Sequence, residues 1–322
     1  MGLLDIEMVP IGIDDLMPNS PTEHNVYIRL SADRFVTLYK KDSIPSSEHL
    51  HKYKTKDIDT LWVEKSAMIT FVKKNVTLAS LASRSATVAN NKKAALFVKA
   101  TDSMFKQIEY CGMTGKTYEQ SKSLAESFFQ YAQDNQDVAT LIDSLNEFDS
   151  WIVRRSILVS FFSVCIAMEL ENIGTTQIKS VSVAGLLHDI GLIKLPKNIV
   201  TRPLDQLTNE EMQIYKTHPD RGRELVDGID AVHDDVLTII HQHHERPSGS
   251  GYPMGINKSK IHILSQIVAT ADEFSDLLLK APHRPRVLPI ELAMTTYIEN
   301  NESPINKSIS RAFGLALKKR MF

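Results

Sequence analysis

The chain has 322 residues, 43% of them hydrophobic, and a formal net charge of −2. Domains usually run about 100–200 residues, so two domains with real cores are expected. A balance this close to neutral excludes a chain-wide basic field for holding a nucleic-acid polymer, while a small anionic ligand needs only a few local cations.

In chain order, the N-terminus Met1-Gly2-Leu3-Leu4-Asp5 turns acidic too early for a signal peptide. No apolar run approaches the roughly 18 residues of a membrane span, so a cytoplasmic protein with no membrane partner is expected. Residues 1–64 read as a small β-rich α+β module of regulatory or interaction type. Val26-Tyr27-Ile28-Arg29-Leu30 and Phe35-Val36-Thr37-Leu38-Tyr39 are strand-like, and Ser31-Ala32-Asp33-Arg34 suits the hairpin turn between them. A short helix is expected after Pro45, capped by Ser46 or Ser47, and Leu61-Trp62-Val63 reads as a further strand.

Residues 65–140 are expected to be a helical connector. Thr117 to Gln133 and Val138 to Phe148 carry apolar residues at helical spacing. Residues 141–322 are expected to form an all-α bundle, with Trp151 to Leu170 as a strongly apolar central helix. Two cysteines so far apart, Cys111 and Cys165, make neither a disulfide framework nor a Cys-based zinc site, and Cys165 sits in an apolar run as a buried thiol.

The chemistry concentrates between 188 and 272: His188-Asp189, His218, His243-His244 and Asp272. Neutral imidazole and carboxylate together suit a divalent iron, manganese or zinc ion. Four histidines and two aspartates exceed what one tetrahedral zinc needs, and the count points to a two-metal centre. His24, His49, His51, His233, His262 and His283 read as ordinary surface or core residues, and His241, two positions before His243, faces away from it.

Ala184-Gly185-Leu186-Leu187-His188-Asp189-Ile190-Gly191 resembles the HD motif of the HD metal-dependent phosphohydrolase superfamily. His243-His244-Glu245-Arg246-Pro247-Ser248-Gly249-Ser250-Gly251-Tyr252-Pro253 is similar, almost letter for letter, to the second signature of its HD-GYP subgroup. Thr208-Asn209-Glu210-Glu211, His218-Pro219-Asp220-Arg221-Gly222 and Ala271-Asp272-Glu273-Phe274 match the segments around it. The resemblance covers roughly residues 145–300 and implies an HD-domain helical bundle that hydrolyses c-di-GMP to pGpG or GMP. It implies His188, Asp189, His218, His243, His244 and Asp272 as ligands of two divalent ions, iron first and manganese or zinc as alternatives. Asp189 would bridge them, and a water held between the cations would lose its proton and attack phosphorus. The loop of Gly249, Gly251, Tyr252 and Pro253 is implicated in the family in contacts with GGDEF-domain partners, and Tyr252 would either close over a guanine or pack the loop down.

Two positions depart from the family pattern. Leu192 stands where a lysine usually follows Gly191, leaving Lys194 as the candidate to act beside Asp189 in catalysis. Arg155, in Trp151-Ile152-Val153-Arg154-Arg155-Ser156, stands where the family often has a histidine. A guanidinium cannot ligate a cation, so Arg155 is expected to repel metal or bind phosphate, and it joins Arg284, Arg286 and Tyr252 as candidates for substrate binding. The rival reading is a degenerate member that binds c-di-GMP or a GGDEF-type partner with little turnover. A mononucleotide hydrolase is a third.

Overall fold

The structure, a computed structural model, describes residues 7–134, 138–282, 286–299 and 307–321. Strands β1 (Met8–Gly12), β2 (Val26–Ser31), β3 (Arg34–Tyr39) and β4 (Thr60–Glu64) form an antiparallel sheet in the order β1-β4-β2-β3. The β2–β3 hairpin pairs Ile28 with Val36 and Ser31 with Arg34, where the alternation and the turn at 31–34 place it. Strand β1 carries Pro10 and Gly12, which give no strand signal. It lies at the sheet edge, where a missing N–H is tolerated.

Helix α1 (Ser47–Lys54) starts where Ser46 accepts the His49 N–H at 3.1 Å. Val9, Ile11, Val26, Leu61 and Val63 of the sheet share a small core with Leu50 of α1 and with Met68. The stretch 65–140 contains α2 (Met68–Ser83), α3 (Asn90–Cys111) and α4 (Gly115–Asp134), followed by α5 (Val138–Leu145). Their buried side chains, among them Val72, Phe97, Phe128 and Leu141, belong to the same hydrophobic core as the helices that follow.

Helix α6 (Trp151–Met168) runs through that core. Against the sequence expectation, it is long and apolar enough to cross a membrane by length and composition, yet 83% of it is buried inside the protein. Burial on all sides explains a helix that is apolar all round. Cys165 is buried on it.

Helix α7 (Thr175–Leu187) packs on α6, and the Ser160 hydroxyl donates to the Ser182 carbonyl at 2.7 Å. There follow α8 (Lys197–Val200), α9 (Asn209–Tyr215), α10 (His218–Val226), α11 (Asp234–Gln242), α12 (Ile263–Leu278), α13 (Ile290–Glu299) and α14 (Lys307–Met321). An edge-to-face aromatic pair ties α12 to α6: Phe162 meets Phe274 at 5.2 Å between ring centroids. This packing fixes the separation of two helices that carry charged groups of the site. Phe162→Ala is therefore expected to lower stability by about 3–5 kcal/mol, read as a fall in the urea midpoint.

Candidate metal centre

Five separate elements deliver the side chains, and the histidines stand at helix ends rather than within helices. His188 and Asp189 follow the last residue of α7, His218 opens α10 directly after α9, and His243 and His244 follow the last residue of α11. Asp272 projects from the middle of α12, and Arg155 from the second turn of α6. All seven are buried, and His188, Asp189, His218 and His243 are fully so.

The local reason lies in the backbone. The last carbonyls of a helix lack intrahelical partners. His188 Nδ1 lies 2.8 Å from the Gly185 carbonyl, His218 Nδ1 2.9 Å from the Tyr215 carbonyl, and His243 Nδ1 2.8 Å from the Ile240 carbonyl. A carbonyl only accepts, so each Nδ1 carries the proton and donates it. Where the ring is neutral, this leaves Nε2 as a bare lone pair facing the centre. The turn after Asp189 comes very close to α10: a Cβ on Gly191 would stand 2.0 Å from the His218 carbonyl oxygen and 2.6 Å from the Gly222 nitrogen. Only glycine fits there.

The inward atoms form one cluster. Ligand atoms of Asp189, His218, His243 and His244 all lie within 4.8 Å of one another. Asp189 Oδ1 is 3.2 Å from His218 Nε2 and 3.7 Å from His243 Nε2, and these two nitrogens face each other at 3.3 Å. Asp189 Oδ2 points the other way, 3.2 Å from His188 Nε2 and 3.5 Å from Arg155. Both Asp189 oxygens and the His244 Nε2 atom are buried without a strong hydrogen-bond partner, while His188 Nε2 lies against the Asp189 and Asp272 carboxylates at 3.2 and 3.3 Å. Buried polar atoms left this way are costly, and nitrogen lone pairs facing each other repel. A cation between them relieves both, so the donor set fits a divalent ion.

Burial pushes His243 down to about 4, and pushes His244 well below the ordinary imidazole value. Both are neutral at pH 7, the form that ligates. Burial also disfavours charge on His188, but the Asp189 and Asp272 carboxylates outweigh it and lift the ring to about 10 in the metal-free protein. Burial opposes ionisation of Asp189 and Asp272, yet His188 and Arg155 hold both carboxyls well below the usual range.

Arg155 does not present its guanidinium to an open cavity, as binding a substrate phosphate would need. Its Nε and Nη2 donate to the two oxygens of Asp272 at 2.6 and 2.8 Å, and Asp276 lies 3.6 Å from Nε. Lys194 is exposed, on the solvent side of the short 3-10 turn Ile190–Lys194, and does not reach inward. Leu192 is buried against Leu195, Ile199 and Tyr215. Arg286 is exposed, and Arg284 lies outside the described residues. His241 faces away, 2.8 Å from Asp220.

The loop after His244 is held by a residue that sequence reasoning passed over. The Glu245 carboxylate, 1% exposed, accepts the backbone N–H groups of Met254, Gly255 and Ile256 at 2.7, 3.1 and 2.9 Å. Gly251 fits under the loop because a Cβ there would stand 2.4 Å from the Arg246 nitrogen, and Gly249 takes a φ of +80°. Tyr252, next to Pro253, stacks on His244 with centroids 4.6 Å apart and planes 30° apart. Asp276 was also missed, though its i+4 spacing from Asp272 places both on one face of α12.

A family model described as HD domain matches residues 139–303. The cyclic di-GMP phosphodiesterase response regulator RpfG of Xanthomonas campestris pv. campestris is 37% identical over 117 residues, 35% of this chain and 31% of that protein. A cyclic di-GMP phosphodiesterase of Thermotoga maritima is 32% identical over 165 residues, 51% of this chain and 44% of that protein. The chain thus spans less than half the length of these relatives. A solved HDG"Y"P protein from Bdellovibrio bacteriovorus shares the fold, with a TM-score of 0.67 and 19% identity over 97% of this chain and all of the other.

Glu245→Ala leaves three loop N–H groups without their acceptor. It is expected to destabilise the protein by about 1–3 kcal/mol, and limited proteolysis should cut first within 246–256.

Proposed function

The chain belongs to the HD domain family, and from that premise we propose that its helical domain is a metal-dependent phosphodiesterase hydrolysing c-di-GMP to pGpG or GMP. The observation that carries the reading is the convergence of Asp189, His218, His243 and His244, with both Asp189 oxygens and the His244 Nε2 atom buried without a strong hydrogen-bond partner. The names of the relatives as cyclic di-GMP phosphodiesterases support the substrate.

We assign these four residues as ligands of a divalent ion, iron first and manganese or zinc as alternatives, with His188 and Asp272 completing the buried cluster. When bound, such an ion lowers the pKa of a coordinated water towards neutrality and offsets charge on phosphate oxygens. The protein's own contribution is orientation. The carbonyl bonds keep three imidazole rings aimed inward, and the α12–α6 packing holds Asp272 at its post. Glu245 keeps the loop closed so that Tyr252 lies over His244 at the rim, where its ring can meet a guanine base. The loop of Gly249, Gly251, Tyr252 and Pro253, beside the exposed Met254, is the surface we assign to a GGDEF-domain partner.

A second reading is favoured by Arg155 and Leu192. One is bound into an ion pair and the other into an apolar cluster, so neither supplies a ligand or a donor to substrate. Under that reading the domain binds c-di-GMP and turns it over slowly or not at all.

The full chain, loaded anaerobically with Fe(II) or Mn(II) and given c-di-GMP, is expected to release pGpG or GMP on a chromatographic assay. Chelator should stop the reaction, and His218→Ala should slow it by about a hundredfold or more. Binding without product would favour the second reading, and product in the presence of chelator would contradict the metal mechanism.

A further inference from the structure

We infer that the Arg155 guanidinium is a built-in cation that takes the place of a second metal ion, so that the centre binds a single divalent ion at its Asp189–His218–His243–His244 end. The inference rests on the metal dependence proposed above and fixes its stoichiometry.

The two oxygens of Asp189 divide the cluster. Oδ1 faces the nitrogens of His218 and His243, and Oδ2 faces His188 and Arg155. On the second side the natural acceptors for a further cation are Asp189 Oδ2 and the carboxylate of Asp272. Asp272 is already taken: both oxygens receive N–H donors from Arg155 in a bidentate pair, and Oδ1 also lies 3.3 Å from His188. Asp276 adds a third carboxylate on the same guanidinium at 3.6 Å. Three acidic groups thus surround one fixed positive charge, the arrangement a metal would otherwise receive.

An arginine cannot relieve repulsion by losing its proton. It is 5% exposed and held by α6, and moving it out would leave Asp272 buried and unpaired, which is strongly unfavourable. A divalent ion on this side would have to break the bidentate pair and stand beside a buried cation. On the other side, Asp189 Oδ1 faces the nitrogens of His218 and His243, while the approach of Arg155 to Asp189 is to Oδ2 at 3.5 Å.

The test is metal content rather than activity. The full chain is loaded anaerobically with Mn(II), excess is removed, and manganese per chain is measured by elemental analysis. The expected value is one ion per chain. Asp272→Asn should keep it, because Asp272 serves Arg155 and not the ion. Two ions per chain in the unmodified protein would overturn the inference, as would loss of the ion in a folded Asp272→Asn. If that variant fails to fold, the unmodified protein decides alone. A chain that binds no ion at all would remove the metal reading itself, and this inference with it.

Discussion

Three hydrogen bonds from imidazole Nδ1 to backbone carbonyls at helix ends set the rest of the site. Each satisfies a carbonyl that the end of α7, α9 or α11 would leave unpaired. The same bond fixes which nitrogen carries the proton and points the other into the centre. The ends of these helices also carry the negative pole of the helix dipole, about half an elementary charge each. The ends of α7 and α11 thus place negative poles beside the Asp189 and Asp272 carboxylates, while His218 sits at the start of α10, whose positive pole offsets that of the short α9.

Convergence requires close backbone approach, and the chain provides it where side chains are absent or small. Gly191 brings the turn after Asp189 against the start of α10, and the Ser160–Ser182 contact seats α7 on α6. Charge is only partly offset within the cluster: the carboxylates of Asp189, Asp272 and Asp276 meet the single guanidinium of Arg155. A buried pair of this kind is poor evidence of added stability, since desolvation offsets much of the attraction. Its consequence is positional, because Asp272 is committed to Arg155 and the two ends of the cluster become chemically unlike.

Sequence patterning carried the broad architecture. Alternation placed the β2–β3 hairpin, Ser46 marked the start of α1, and helical spacing placed α4 to α6. The imidazole and carboxylate set was legible as a constellation because its residue types and signature spacing are distinctive. Other features were not legible. Strand β1 hides behind Pro10 and Gly12, since edge pairing is a tertiary property. Helix α6 was legible as a central bundle helix, but not as one long and apolar enough to match a membrane span. Glu245 gave no signal because its partners are backbone N–H groups, which have no letter in the sequence. The fate of Arg155 depended on Asp272, separated from it by 117 positions, and only the fold brings them together.

The central claim is that these side chains enclose a cation at one end of the cluster. Anomalous scattering from a crystal of the full chain loaded with iron or manganese tests it most directly. The account predicts a single peak about 2.0–2.2 Å from Asp189 Oδ1 and the Nε2 atoms of His218, His243 and His244, with Arg155 still paired to Asp272. No peak at those atoms, with the rings in the same place, would contradict it.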